Sequence, residues 1–258
     1  KKAIITGSSS GFGYLTTLTL ARNGYKVWST MRDSNGKNSS KKNELEAFAA
    51  KENLSITVAE LDVTSDASVK ALTEKIINEE GSIDILVNNA GVMYVGITEA
   101  YSLEQVQEQF DTNFFGVIRT SKAFLPLLKK SEDGVIINIS SLAGRLVFPY
   151  FGIYCASKFA LEAYSEALKY ELKPLGVDVS VVEPGPFPTG LLFSGPKEED
   201  TMALESYGEM VEVPSAMLQN FEGFFKSEDA PNPQEIADSI LSIIETNNGS
   251  RPIRKVTG

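Results

Sequence analysis

An α/β fold of the Rossmann type is predicted for this chain: a doubly wound parallel sheet in a single domain over residues 1–258, with a lid insertion near 187–232. Three observations predict it. Short apolar runs alternate with helically periodic segments from the first residues to about Val182, the sign of βαβ units. The first run feeds a glycine-rich turn, Thr6 to Gly13, after which a helical pattern starts. At 258 residues the chain can bury one substantial core, and its length fits one α/β domain.

In chain order the strand candidates are 3–5, 26–28, 56–58, 85–87, 135–137 and 177–182, each short and mostly apolar. Between them, Val69, Leu72, Ile76 and Ile77 keep one helical face. Leu103, Val106, Phe110, Phe114, Val117 and Ile118 keep another, and Ile236, Ile240, Ile243 and Ile244 a third. Gly24 closes the first helix, and Pro174 with Gly176 closes the one carrying Tyr154. A closing strand over 252–256 is short, charged and starts with Pro252. From Pro184 to Pro233 the alternation breaks into a Pro-Gly-rich stretch, the acidic run Glu198, Glu199 and Asp200, and scattered Met, Leu and Phe without a clean period. This is the insertion, placed over the sheet's active edge.

Composition excludes several classes. A net charge of -10 leaves no basic stripe for nucleic acid. No run of about 18 apolar residues is present and no signal-peptide pattern precedes the first strand, so no membrane partner is expected. Cys155 is the only cysteine, which rules out an intrachain disulfide and fits a reducing, cytoplasmic setting. With no histidine, Ser-His-Asp triads and His-based zinc sites are impossible, and no metal is expected. Acid–base chemistry falls to Tyr, Lys, Asp or Glu.

Two motifs carry chemistry, one of binding and one of acid–base type. Gly7, Gly11 and Gly13 at a strand-to-helix turn let the backbone bend tightly and a pyrophosphate approach a helix N-terminus; a plain loop is the alternative. No Gly-Lys-Ser/Thr follows, which sets aside a P-loop. Tyr154 and Lys158, four residues apart, share one helical face. A phenol of pKa about 10 becomes a useful base when a fixed cation favours phenolate. An exposed structural pair is the alternative.

Thr6-Gly7-x-x-x-Gly11-x-Gly13, Asn88-Asn89-Ala90-Gly91, Tyr154-x-x-x-Lys158 and Pro184-Gly185, in that order across nearly the whole chain, resemble the short-chain dehydrogenase/reductase family. The resemblance implies an NAD(P)-dependent oxidoreductase moving hydride between nicotinamide and a ketone or secondary alcohol. Tyr154 would be its acid/base, with Lys158 lowering the phenol's pKa and holding the nicotinamide ribose. Ser141, thirteen residues before Tyr154, would bond the substrate oxygen in preference to Ser140. Asn113 would hold a water linked to Lys158; an Asn amid an apolar helix otherwise needs a partner. Gly7, Ser9, Ser10, Gly11, Phe12 and Gly13 would cradle the cofactor, Asp62 and Val63 would meet the adenine, and Asn88, Asn89, Ala90 and Gly91 would form the floor. Pro184, Gly185 and Thr189 would sit at the carboxamide, unless Thr189 is a plain loop residue. Relatives are commonly dimers or tetramers packed through the helices holding Asn113 and Tyr154.

At the end of the second strand, Met31 stands where NAD-preferring members carry an acid, and Arg32 suits a 2′-phosphate. NADP(H) is therefore expected over NAD(H), although Asp33, two residues from Met31, could supply an NAD-type acid. For the substrate, Val92 to Val95, Leu146 to Phe148, Tyr150 and the insertion's Phe187, Leu191, Leu192, Phe193, Met202, Leu204, Tyr207, Met210, Met217 and Phe221 are expected as apolar walls, or equally as the core of two lid helices. Arg145 would meet an acidic substrate group or an acid in the lid, and Cys155 would pack on the far side of its helix. A catalytically silent NADP-binding sensor or scaffold is the alternative function, which such a protein would be expected to show by losing Tyr154 or Lys158.

Overall fold

The computed structural model describes residues 1–258. Seven strands form one parallel sheet: β1 (Lys2–Ile5), β2 (Lys26–Met31), β3 (Ile56–Glu60), β4 (Ile85–Asn88), β5 (Gly134–Ile139), β6 (Val177–Pro184) and β7 (Arg254–Thr257), in the order β3-β2-β1-β4-β5-β6-β7. The order reverses between β1 and β4, and in such sheets the crevice beyond the C-terminal strand ends at that point is where ligands sit. Here it brings two turns together, because Ile5 and Val87 are in register.

Neighbouring residues on the central strands point to opposite faces, and each face has its own core. Ile5, Val87 and Ile137 pack with Leu20 of α1 (Gly11–Arg22) and with Ile236 and Ile240 of α9 (Gln234–Glu245). Ile4, Leu86 and Ile136 pack with Val69, Leu72 and Ile76 of α3 (Asp66–Glu80) and with Phe124 and Leu127 of α5 (Gly116–Leu128). Burial on both faces explains why these strands read as unbroken apolar runs. Each such side chain contributes about 1.5–3 kcal/mol relative to exposure. α2 (Ser39–Glu52) links β2 to β3, and α6 (Gly152–Leu172) links β5 to β6.

Some boundaries differ from the sequence reading. β2 continues through Ser29 and Thr30 because both are buried with partners: Ser29 Oγ lies 2.6 Å from Ser8 Oγ, and the Thr30 hydroxyl donates to Ile5 O at 2.9 Å. β7 forms at the edge despite its charges, since Arg254 is held by Glu162 and Glu166 of α6. The apolar face over 103–118 is not one helix. α4 (Leu103–Phe110) ends in a π-helical turn, Asp111–Phe115, before α5 begins, and Leu103 is exposed. Ile77 is exposed too, one residue round the helix from buried Ile76.

The 187–232 segment holds α7 (Thr201–Ser206) and α8 (Glu212–Phe225), with short 3₁₀ turns between. No helix of the chain is long and apolar enough to cross a membrane.

Candidate active site

The turn after β1 lies against the turn after β4. A Cβ at Gly7 would sit 2.7 Å from Ala90 Cα, and Gly7 takes a left-handed φ of +66°, so the approach requires glycine. The Asn89 amide clamps the two turns, donating to Thr6 O at 2.8 Å and to Gly7 O at 3.0 Å. Ser10 precedes α1 without capping it, and no acid stands in the first turn, so the helix N–H groups face outward unspent. That cradle fits a dinucleotide pyrophosphate.

Ser141 starts the turn after β5, where its hydroxyl accepts from the Ala143 N–H at 3.1 Å. Tyr154 and Lys158 stand at the start of α6, are both buried, and line the same cavity of about 760 Å³ as Ser141 and the glycine turn. The Lys158 ammonium donates to Ile139 O at 2.8 Å and lies 5.7 Å from the centroid of the Tyr154 ring. Burial pushes the Tyr154 phenol well above its ordinary value, with the Ser141 hydroxyl pulling the other way. In the protein alone the ammonium is directed to a carbonyl, and desolvation wins. Burial also brings Lys158 down to about 8, against the opposing pull of Glu162.

Asn113 is fully buried and does not line the cavity. Its Oδ1 accepts from the Val92 N–H at 2.9 Å, and its Nδ2 donates to Val92 O at 2.9 Å and Ser157 Oγ at 3.1 Å. The π-helical turn that carries Asn113 thus ties α6 to the cavity wall. A Cβ at Gly91 would lie 3.4 Å from Asn113 Oδ1 and 4.0 Å from Lys158 Nζ, so the three residues converge.

Gly7, Ser9, Ser10, Gly11, Phe12, Arg32, Asp62, Val63, Asn89, Ala90, Gly91, Pro184, Gly185 and Thr189 all line the cavity. Gly13 does not: it stands behind the wall, where a Cβ would strike the Asn89 amide and Gly7 O, so its part is close packing. Asn88 is not floor either, because its amide donates to Asn138 Oδ1 at 2.8 Å and Ser121 Oγ at 3.2 Å, away from the cavity. Asp33 is off the cavity with a left-handed φ of 49°. Its carboxylate accepts from the Lys37 N–H at 2.8 Å, and Glu60 holds the N–H groups of Asp33 and Ser34, each at 2.6 Å. The turn so fixed puts Arg32, Lys37 and Asn38 on the cavity wall. Lys37 escaped sequence reasoning; its signal was a second cation beyond the turn-forming Asp33, Ser34, Asn35 and Gly36.

The apolar walls are divided. Phe187, Leu191, Leu192, Met217 and Phe221 line the cavity, joined by Val213 and Phe225, which were not foreseen. Phe193, Met202 and Met210 are exposed, and with Leu204 and Tyr207 they stay off it. Val92, Met93, Phe148 and Tyr150 are wall, whereas Tyr94, Val95, Leu146 and Val147 are not. Arg145 pairs with Glu183 of β6 at 3.4 Å rather than with the insertion. Cys155 packs with Ala143, Phe151, Tyr154 and Leu192, beside the site rather than across the helix from it.

Fold and glycine turn together define an α/β protein of the dinucleotide-binding type. The family described as short chain dehydrogenase matches residues 1–200. Over 247 residues the chain is 37% identical to a 3-ketodihydrosphingosine reductase of Bacteroides thetaiotaomicron, covering 95% of this chain and 84% of that one. It is 37% identical over 268 residues to human retinol dehydrogenase 8, covering 100% and 81%. A short-chain dehydrogenase/reductase from Burkholderia phymatum, solved with NAD, superposes with a TM-score of 0.83 at 25% identity, over 99% of this chain and 88% of that one. The chain belongs to the short-chain dehydrogenase/reductase family, and a nicotinamide cofactor and a small-molecule substrate go with that membership.

Proposed function

We propose that this protein is an NADP(H)-dependent carbonyl reductase or alcohol dehydrogenase that transfers hydride between nicotinamide and a bulky, apolar ketone or secondary alcohol. The observation that carries this reading is the buried Tyr154 phenol, held protonated beside Ser141 and facing an apolar cavity. A phenol in that state is a proton donor, which suits the reductive direction.

The cofactor supplies or accepts the hydride. Ser141 holds the substrate oxygen by hydrogen bond, and Tyr154 gives its proton to that oxygen as the carbon is reduced. Lys158, charged below about pH 8, grips the ribose and steadies the phenolate left behind. Asn113 positions the Lys158 helix against the wall at Val92. At the far end Arg32 and Lys37 support preference for a 2′-phosphate, and the carboxylate of Asp33 is spent on its own turn.

Phe187, Leu192, Met217, Phe221 and Phe225 support an apolar substrate. The two relatives, named for 3-ketodihydrosphingosine and for retinol, accord with that. The 187–232 segment is then the substrate lid. Exposed Phe115 and Phe159, beside the residues that build the site, support a dimer or tetramer packed through their helices. The lone, unpaired Cys155 supports a cytoplasmic place.

Purified protein mixed with NADPH or NADH and a panel of long-chain and short polar ketones, followed by loss of reduced-cofactor absorbance, tests the proposal. Faster turnover of the long apolar ketones with NADPH is expected. Tight NADPH binding without turnover of any ketone would replace it with the sensor or scaffold.

A further inference from the structure

Beside Lys158, but off the cavity, the fold gathers charges that the proposed reaction does not use. Glu162 lies one helical turn beyond Lys158 on α6 and Glu183 at the end of β6; they are 5% and 2% exposed. The Arg254 guanidinium of β7 donates to Glu162 Oε2 at 3.0 Å and to Glu166 Oε2 at 2.6 Å, and lies 3.4 Å from Glu183 Oε1, which Arg145 also meets at 3.4 Å. Glu162 Oε1 has no protein hydrogen-bond partner, so half of this carboxylate is uncommitted in a buried setting.

Glu162 also touches the turn that carries Ser141. A Cβ at Gly144 would lie 3.0 Å from Glu162 Cγ, 2.6 Å from Ser140 Oγ and 3.3 Å from Lys158 O, so the turn seats directly on α6 at Glu162. Lys158 itself bonds only a neutral carbonyl, that of Ile139, and the one acid lining the cavity is Asp62, among the residues expected at the adenine. A buried ammonium without an anion gives up its proton.

We propose that Glu162 is a positioning residue for the reaction: its buried carboxylate, one turn beyond Lys158, keeps the ammonium charged, while its side chain seats the turn that presents Ser141. The inference rests on Lys158 and Tyr154 acting as described under the proposed function. The ionisable groups facing Lys158 are Tyr154 and Glu162 of α6; those facing Glu162 are Lys158, Glu166, Glu183 and Arg254.

The test is NADPH affinity, read by cofactor fluorescence from about pH 6 to about pH 10, a window that brackets the Lys158 titration. Binding by the unaltered protein should weaken through a midpoint set by Lys158, near pH 8. Glu162→Gln keeps the shape and removes the charge, and should lower that midpoint by about one pH unit. Glu162→Asp should restore it. Arg254→Gln strips away the cation that offsets Glu162 and should move the midpoint up, whereas a purely structural role gives both variants the same sign. An unmoved midpoint in Glu162→Gln, or equal-signed shifts in the two variants, overturns the inference. Should Glu162→Gln fail to fold, the sign in Arg254→Gln decides alone. Lack of NADPH binding by the unaltered protein would fail the function proposed above; binding with an unmoved midpoint would fail only the role of Glu162.

Discussion

β4 and α8 are both apolar, yet the chain treats them differently. Every residue of β4 is buried, with Leu86 and Val87 in separate cores on the two faces of the sheet. In α8 only Pro214 is buried; Val213, Met217, Phe221 and Phe225 instead face the cavity. A β4 side chain is surrounded by the protein's own atoms, so its position is decided by packing. An α8 side chain has the cavity on one side, so part of its apolar surface is left for a ligand. In the function proposed above, the sheet body would fix where the chemistry happens and the cover would select what reaches it.

The sharpest test of that division is Tyr154→Phe, a body residue at the reacting end. It should cut turnover about 10³-fold, within the usual range for loss of a general acid, with NADPH affinity changed less than about threefold. Equal loss of both would mean that the phenol serves the cradle rather than the chemistry. Next, stability should separate the two regions directly. Leu86→Ala, in the fully buried strand, should cost about 2–5 kcal/mol in denaturant unfolding, whereas Met202→Ala, 81% exposed in the cover, should stay within about 0.5 kcal/mol. A large loss at Met202 would erase the distinction. Smaller again, Arg32→Ala should weaken NADPH by about 1–3 kcal/mol, the worth of a charge-assisted contact, and leave NADH nearly unaffected. Isothermal titration with each cofactor checks it, and equal losses would remove the 2′-phosphate contact.

How far the molecule was legible follows the same line. The central strands were readable because burial on both faces leaves an apolar run, and the glycine turn because Gly7 must pass within contact of Ala90. The ends of β2 and β6 were not, since Ser29, Thr30 and Glu183 are polar residues kept inside by partners distant in sequence. The π-helical turn at Asn113 leaves no mark in a 3.6-residue period, and a side chain satisfied by Val92 and Ser157 reads in sequence like any polar helix residue. How deeply the phenol is desolvated in the protein alone was hidden for a related reason. Spacing shows that Lys158 is near Tyr154 but not that its ammonium is drawn to Ile139 O, nor how deeply both are buried.

The cover was the least legible region, because its apolar residues are shared: Met217, Phe221 and Phe225 line the cavity and also pack against the buried cluster of Ala143, Phe151, Tyr154, Cys155 and Leu192. Its sequence admits two readings, substrate wall or lid-helix packing, and Phe221 distinguishes them. Phe221 lines the cavity and packs with Phe225 at a ring-centroid distance of 6.0 Å. If its contact is with substrate, Phe221→Ala should lower kcat/KM for a long-chain ketone by about 1 kcal/mol, roughly fivefold. A short ketone that does not reach α8 should then be turned over as before, and the unfolding midpoint should hold. If Phe221 only holds the helices together, the midpoint falls and both ketones suffer alike. The ratio of the two kcat/KM values is therefore the quantity to measure, since a general loosening of the cover cancels from it and a lost substrate contact does not.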